Sequence, residues 1–366
     1  MRILFLCFIS AMAPYACGQT AASSLPKRLI GDYGYWSRTQ TPPYSADQIP
    51  FQKLTHINHA GVSFDANGKL SVPSGFLEPA LLTKAHNAGV RVLLLLGGDF
   101  SALETSPAVQ TNLIANLKTF IHENGYDGVD IDWEYPSTTA DEQAFYSLFE
   151  ALRDAFPRPN YVLSADVAPW GGSGYDFPQV TPIVNYFNIM TYDCAGPWTD
   201  DGQLNSPIFP DPNNPEPYEC EPGGSVKEAI DIYVTQLNIA PEKLNVGTPF
   251  YGYFYQNVTE LYGPCQNCAN TVLSENYGTF IKQRINQKGW TSYFSEVTGV
   301  PYMLRTDGKP GFITYDDAAS TFHRVSYSLW TRGLGGSFNW SLDADYDGNS
   351  QDLLDAEYRA TLPPQN

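Results

Sequence analysis

The chain has 366 residues, of which 43% are hydrophobic and 16% charged, so its composition predicts a large folded core and argues against extensive disorder. Its 21 basic and 39 acidic residues give a formal net charge of -18, which disfavours binding to nucleic acid or to an anionic membrane. We therefore expect a neutral or cationic partner. Aromatic residues make up 14% of the chain, and aromatic faces suit sugar rings, although most of them must belong to the core.

Residues 1–18 are typical of a secretory signal peptide. Arg2 supplies a positive start, an apolar run extends from Ile3 to Ala13, and small residues at Ala16–Gly18 precede a predicted cleavage before Gln19. The run is too short to cross a bilayer core of about 30 Å, so a membrane anchor is the weaker interpretation. We predict a secreted protein, extracellular or periplasmic, in which residues 19–366 form a single catalytic domain with no membrane partner.

Cleavage there would leave four cysteines, namely Cys194, Cys220, Cys265 and Cys268. An even number in an exported chain suggests disulfides, and adjacency favours Cys194 with Cys220 and Cys265 with Cys268, although three pairings are possible. A zinc or redox role for the last two is less well supported, because no second CxxC and no histidine pair at ligand spacing accompanies them. We predict no metal and no cofactor.

Eight short apolar runs rich in β-forming residues recur along the chain, and most are separated by segments of helical period, such as 113–122 and 143–156. The runs begin near Arg28, Leu54, Arg91, Asp127, Tyr161, Val184, Leu244 and Gly333. This alternation predicts an α/β fold, the (β/α)8 or TIM barrel. An open doubly wound sheet is less consistent with the sequence, because no GxGxxG motif follows the first strand.

Two longer stretches interrupt this pattern. Residues 207–224 contain six prolines, which predicts an irregular loop and not a linker between domains. The stretch between the seventh and eighth runs contains the CxxC segment, a helical segment at 277–288 and tyrosine-rich pieces that resemble strands. We expect at most a small insertion on the barrel there.

The segment from Tyr126 to Tyr135 reads YDGVDIDWEY. Alternate side chains of a strand share a face, so Asp130, Asp132 and Glu134 are predicted to point into the barrel. Carboxyls this close cannot all ionise, so a proton is shared and at least one pKa is raised. A carboxylic acid with a raised pKa at the carboxyl end of a barrel strand suits the general acid of a glycosidase. A calcium or magnesium site is less consistent, because the run lacks the glycine of a calcium loop.

The spacing Asp127-x-x-Asp130-x-Asp132-x-Glu134 resembles the DxxDxDxE signature of glycoside hydrolase family 18, the chitinases and their relatives. Three further segments resemble motifs of this family in the same order, namely MTYD at 190–193, PFYG at 249–252 and GGSFNWSLD at 335–343. The resemblance covers about residues 30–358 and implies hydrolysis of chitin or N-acetylglucosamine oligosaccharides. The segment before Val300 is shorter than in chitinases that carry a full insertion wall, and the shallower groove that this predicts favours endo-type cleavage. We expect a monomer.

The resemblance implies a retaining mechanism in which the substrate's own 2-acetamido oxygen attacks, forming an oxazolinium ion. Glu134 would protonate the leaving oxygen and later activate water. Asp132 would hold the acetamido N–H, and Asp130 would share a proton with Asp132. Tyr192 would donate to the acetamido carbonyl. The implied substrate-binding residues are Met190, Asp193, Trp198, Tyr251 and Trp340, the last stacking under the sugar at the cleaved end.

Several positions depart from the family pattern. Leu95 occupies the serine position of the family's SxGG segment, and Asp99 follows that segment where a tryptophan is common. Phe100 and Trp198 are the candidates to replace that aromatic contact. Tyr253 stands where many chitinases have arginine. These changes predict altered subsites.

His59 is expected to be structural, whereas Asp166 is a candidate to enter the cleft. Two alternative functions are a chitin-binding lectin of the same fold and an endo-β-N-acetylglucosaminidase acting on N-glycan cores. The lectin is disfavoured because the acidic residues of the motif are all present. The endo-β-N-acetylglucosaminidase is disfavoured because the tryptophans at 198 and 340 resemble those of chitinases more closely.

Overall fold

The computed structural model describes residues 25–214, 222 and 224–364, so the predicted signal peptide and Cys220 lie outside the described residues. The strands are β1 (Arg28–Gly34), β2 (His56–Phe64), β3 (Leu70–Ser71), β4 (Arg91–Gly97), β5 (Gly128–Asp132), β6 (Val162–Val167), β7 (Tyr186–Ile189), β8 (Leu244–Pro249), β9 (Tyr251–Tyr255), β10 (Val272–Asn276), β11 (Trp290–Ser295), β12 (Val300–Arg305), β13 (Phe312–Thr314) and β14 (Gly336–Trp340).

The α-helices are α1 (Pro79–Asn87), α2 (Ala102–Thr105), α3 (Pro107–Asn124), α4 (Thr139–Ala155), α5 (Phe177–Val180), α6 (Val226–Asp231), α7 (Cys268–Thr271), α8 (Ala318–Ser326), α9 (Leu342–Asp345) and α10 (Asp352–Thr361). Short segments of 3-10 or π geometry cover Tyr35–Thr39, Phe51–Lys53, Ser173–Tyr175, Ile232–Gln236, Pro241–Lys243, Tyr277–Ile281, Lys282–Arg284 and Tyr327–Thr331. The helical segment predicted at 277–288 is therefore shorter than expected and has no regular α-helix.

Eight parallel strands form a closed barrel in the order β1-β14-β8-β7-β6-β5-β4-β2, and pairing of β1 with β2 closes it. The eight predicted runs begin within three residues of these strands, so the (β/α)8 prediction is confirmed. Each barrel strand packs against the barrel interior on one face and against helices on the other. This explains why Val92 to Leu96 form an unbroken apolar run with every side chain buried.

The segment that holds the predicted catalytic motif is anchored at both ends. Helix α3 ends at Asn124, and the left-handed φ of 78° at the following Gly125 terminates it just before β5. Asp127 then accepts from His86 Nε2 and from the Val92 amide, both at 2.8 Å. Beyond the strand, Thr138 and Asp141 form a capping box at the start of α4. The loop that contains Glu134 thus spans two fixed points.

The predicted insertion lies between β8 and β14. It is a five-stranded antiparallel sheet in the order β10-β9-β13-β12-β11. Strand β8 ends at Pro249, and β9 begins at Tyr251. The insertion sheet therefore begins at the mouth of the barrel. The loop at 207–214 is irregular as far as it is described, in agreement with its prolines.

The predicted disulfide between Cys265 and Cys268 is present. Cys194 is disulfide-bonded as well, while its predicted partner Cys220 lies outside the described residues. Within the described ranges, no helix combines the length and apolar character needed to cross a membrane. The same part of the chain has no group of three or more His, Cys, Asp or Glu side chains placed to hold a metal ion.

Candidate active site

Polar side chains from neighbouring strands meet inside the barrel. They are all almost fully buried and comprise Asp32 of β1, Asn58 of β2, Asp130 of β5, Ser164 and Asp166 of β6, Asn188 of β7 and Asn245 of β8. An unpaired buried charge is costly, so a cluster of this kind needs hydrogen-bond donors and shared protons. The site is therefore defined by how those donors are distributed.

Asp130 receives the most donors. Its Oδ2 accepts from Asn58 Nδ2 at 3.0 Å, and its Oδ1 accepts from Ser164 Oγ at 2.5 Å and from Asn188 Nδ2 at 3.4 Å. Burial raises the pKa of Asp130 to about 6, and the bond from Ser164 opposes that rise. Asp130 is thus the interior carboxyl whose negative charge is best stabilised.

Asp132 lies two residues further along β5, closer to the mouth. Burial raises its pKa well above the usual range, and the charges of Glu134 and Asp130 raise it further. Asp132 and Glu134 share a hydrogen bond, which requires a proton on one of the two carboxyls. The Oδ1 atom of Asp132 is buried and has no hydrogen-bond partner among the described residues, so it is available to a bound molecule.

Glu134 lies just beyond the end of β5, where the residue is exposed to solvent at the mouth of the barrel. The surrounding protein nevertheless desolvates its carboxyl and so raises its pKa, and the negative charge of Asp193 acts in the same direction. Its hydrogen bond with Asp132 has the opposite effect. Among Asp130, Asp132 and Glu134, the most exposed to solvent is Glu134.

Of the predicted site residues that follow β7, Tyr192 lies within range of the charges of Asp132 and Asp166. Met190 and Tyr192 are buried, and the Tyr192 ring meets that of Tyr251 edge to face at 6.1 Å. A side chain at Gly247 would lie 2.9 Å from Tyr192 Cε1 and 2.7 Å from Ile189 O. Strand β8 therefore needs a glycine at this point to admit the tyrosine.

Asp193 is held by two tyrosines of the insertion sheet. Tyr251 donates its hydroxyl to Asp193 Oδ1, and Tyr253 donates to the same oxygen at 2.8 Å. Burial raises the pKa of Asp193, and these two hydrogen bonds lower it. Both donors to Asp193, including Tyr253, are neutral hydroxyls.

Aromatic side chains border the mouth. Trp340 is half-buried and lies 6.2 Å from Trp36, at a ring angle of 50°. Trp198 is 48% exposed and contacts Tyr253 edge to face at 5.7 Å. Trp36 was not predicted as a site residue, although its position directly after the first barrel strand is a signal that the sequence offers.

Phe100, His59 and Asp166 lie near the site and differ in what they contact. Phe100 is buried and stacks on Trp133 at 5.0 Å, so it cannot contact a sugar, and Trp198 is the exposed candidate of the two. His59 is structural, since it is buried, stacks on Phe76 at 4.1 Å and bonds the Tyr126 hydroxyl through Nδ1 at 2.8 Å. Asp166 does face the interior, where Asn188 Nδ2 donates to it at 2.9 Å.

A closed parallel barrel with buried acids leading to an exposed carboxyl at its mouth is the arrangement of a glycoside hydrolase. Residues 28–345 match the family model described as Glycosyl hydrolases family 18, and the chain belongs to this family.

Named relatives agree with that assignment. The chain is 27% identical to Chitinase A1 of Niallia circulans over 435 residues, covering 94% of this chain and 60% of that protein. It is 27% identical to Chitinase 1 of Aphanocladium album over 357 residues, covering 87% and 81% of the two chains. The Group IV chitinase of Ostrinia furnacalis shares the fold, with a TM-score of 0.81 at 24% identity over 92% of this chain and 99% of that one.

Proposed function

We propose that this protein is an endo-acting chitinase that cleaves β-1,4 bonds between N-acetylglucosamine units and retains the anomeric configuration. The observation that carries the proposal is the graded row of acids along and just beyond β5. Asp130 is fully buried and rich in donors, Asp132 shares a proton with Glu134, and Glu134 opens to solvent. The relatives named above are chitinases, which supports the substrate class.

Glu134 acts as the general acid in the first step. Its raised pKa favours the protonated form that a general acid needs, and its exposure lets it reach the glycosidic oxygen. The proton moves from Glu134 to the leaving oxygen as the bond to the anomeric carbon breaks. The leaving sugar then departs with a free hydroxyl, and Glu134 becomes a carboxylate that can activate water.

The substrate's acetamido oxygen attacks the anomeric carbon from the opposite side and closes an oxazolinium ring. The unpartnered Oδ1 of Asp132 accepts the acetamido N–H, which aligns the group and offsets the positive charge that develops. Asp130 lies behind Asp132, and its negative charge favours a proton on Asp132. The Tyr192 hydroxyl donates to the acetamido carbonyl in this pose, and Met190 lines the pocket.

Water attacks the oxazolinium ion from the face that the leaving sugar has vacated, and Glu134 takes its proton. Two successive inversions give net retention. Trp340 supports the sugar at the cleaved end, while Asp193, Tyr251 and the exposed Trp198 contact the sugars around it. An open mouth, in which Trp198 is 48% exposed, suits binding along a chain and so supports endo action.

The decisive experiment uses an N-acetylglucosamine hexamer with the wild type, Glu134→Gln and a matched control, Glu123→Gln, at an exposed position on α3. We expect the wild type and the control to yield dimers and trimers with the β-anomer in early excess. Glu134→Gln should lose at least about 100-fold in rate, as expected for removal of a general acid.

Other outcomes would redirect the assignment. Binding of the hexamer without cleavage by the wild type would indicate a lectin. Release of glycans from a glycoprotein, with the hexamer left intact, would indicate an endo-β-N-acetylglucosaminidase. Early excess of the α-anomer would contradict retention.

We also propose export of the protein, which the predicted signal peptide and the disulfide between Cys265 and Cys268 support. Fractionation of an expressing culture, followed by amino-terminal sequencing of the secreted chain, should give Gln19 as the first residue. Retention inside the cell with Met1 intact would contradict export.

A further inference from the structure

A single amide bridges two carboxyls inside the barrel. Asn58 Nδ2 donates to Asp32 Oδ1 at 2.9 Å and to Asp130 Oδ2 at 3.0 Å. Asn58 is fully buried, and Asp32 is 1% exposed in the middle of β1. If both acids were ionised, two buried negative charges would depend on the same NH2 group. Such an arrangement is strongly unfavourable.

Asp32 and Asn58 together contain two buried oxygen atoms that need a hydrogen-bond donor. Asp32 Oδ2 and Asn58 Oδ1 are both buried, and within the described part of the chain neither has a hydrogen-bond partner. Both atoms are acceptors when Asp32 is ionised. A proton on Asp32 Oδ2 turns one of them into a donor, so that acid and amide can pair in a ring. The acid O–H then donates to the amide oxygen, and the amide N–H donates to the other acid oxygen.

The surroundings of Asp32 favour the same state. Asp130 and Asp132 face it from β5, Asp166 from β6 and Glu357 from α10, and the Tyr192 hydroxyl lies near. Burial is the main cause that raises the pKa of Asp32, and the negative charge of Asp130 adds to it. Asp130 has two further donors, Ser164 and Asn188, so the charge of the pair resides there.

We propose that Asp32 is a neutral carboxylic acid paired with the side-chain amide of Asn58, and that it serves as a positioning residue for Asp130. The pair fixes which way the amide faces, because the Asn58 oxygen is engaged by the acid proton and the NH2 group is turned towards Asp130. The role in catalysis rests on the proposed function, whereas the protonation state of Asp32 can be read without any activity.

Infrared spectroscopy of the purified full chain at neutral pH tests the protonation state directly. A protonated carboxyl has a C=O stretch that is resolved from the carboxylate bands. We expect part of that signal to disappear in Asp32→Asn and to remain in the control Asp154→Asn, which lies exposed on α4. An unchanged signal in Asp32→Asn would show that Asp32 is ionised and would overturn the proposal, whether or not chitin is the substrate.

The pH profile of kcat/KM on the hexamer tests the positioning role. Asn mimics the neutral acid, so Asp32→Asn should keep kcat/KM within about threefold and leave both limbs in place. Asp32→Leu removes the pairing groups and frees the Asn58 amide. Asp130 then loses the hydrogen bond from the Asn58 amide, so its pKa should rise. The acid limb of the kcat/KM profile should move up by about one pH unit.

Equal shifts in Asp32→Asn and Asp32→Leu would show that Asp32 acts through its charge, which contradicts the proposal. If Asp32→Leu does not fold, the infrared signal and the Asp32→Asn profile still decide. If the wild type has no activity on chitin, the proposed function fails while the infrared result still stands.

Discussion

Asp193 lies beside Glu134, and the hydrogen-bond donors to the Asp193 carboxyl are neutral side chains. Its backbone has a left-handed φ of 59°, which an aspartate adopts at a small cost, and its amide donates to Asn205 Oδ1 at 2.9 Å. Two tyrosine hydroxyls bond one of its oxygens. Hydroxyls stabilise a carboxylate less than a guanidinium does, so the ionisation of Asp193 is open to adjustment by a single hydroxyl.

Tyr253→Phe is therefore expected to move the alkaline limit of activity. Without the Tyr253 hydroxyl, the pKa of Asp193 rises and less negative charge remains beside Glu134. Glu134 then loses part of the effect that raises its pKa, so the general acid deprotonates at lower pH and the alkaline limb of kcat/KM moves down. Loss of a hydrogen bond to a charged group, about 1.5–3 kcal/mol, raises the pKa of Asp193 by about 1–2 units. Because this change reaches Glu134 only through the charge of Asp193, the alkaline limb should move down by less.

The control is Tyr293→Phe, on the exposed strand β11, which should leave the profile unchanged. A Tyr253→Phe limb that moves to higher pH, or does not move, would contradict this account of Asp193.

At the scale of elements, a buried arginine ties α8 to the segment after β7. Arg324 has no exposed surface and pairs with both oxygens of Asp316 at 3.0 and 2.9 Å. Its other contacts are the carbonyl oxygens of Ser206 at 2.6 Å and Thr191 at 3.4 Å. Thr191 lies between Met190 and Tyr192. This arginine therefore fixes the backbone beside Tyr192, the residue predicted to donate to the acetamido carbonyl of the substrate.

Arg324→Leu should lower the free energy of unfolding by about 3–5 kcal/mol, because it leaves Asp316 as an unpaired buried carboxyl. Urea unfolding measures the change. The double variant Arg324→Leu with Asp316→Leu should recover much of the loss, because no buried charge then remains. A loss below about 1 kcal/mol in the single variant would show that the pair is not structurally important.

The sequence predicted the barrel strands well because strands buried on both faces appear as continuous apolar runs, as in β4. It could not predict the order of the insertion sheet, since that order depends on pairing between distant segments such as β9 and β13. The role of Phe100 was also hidden, because its burial depends on Trp133, which lies on the outer face of the β5 segment. The acids of the motif were found because charge inside an apolar strand is a strong signal, whereas Asp32 stands alone in β1.

For the molecule as a whole, the buried acids link folding to pH. Burial raises the pKa of Asp345 to about 7 and that of Glu357 to about 7, while the pKa of Asp130 is about 6. A group whose pKa is higher in the folded state binds more protons there than in the unfolded state. Its stabilisation is complete below the unfolded pKa, near 4, and is lost as the pH rises through the folded value.

The free energy of unfolding should therefore fall between about pH 4.5 and 7.5, by up to about 1.4 kcal/mol per pH unit for each such group. Urea unfolding at several pH values measures the slope. Glu357→Gln mimics the neutral acid that accepts from Asn339 Nδ2 at 2.8 Å, so it should flatten the profile. Stability that rises across this range would contradict the raised pKa values.

The closure of the barrel has a consequence for biosynthesis. Strand β1 pairs with β2 on one side and with β14 on the other, and Asn339 Nδ2 donates to Ile30 O across 309 residues of chain. While the ribosome is still making the middle of the chain, β1 has one open edge, and open strand edges invite aggregation. The barrel interior is therefore complete only when β14, the last strand, has been added.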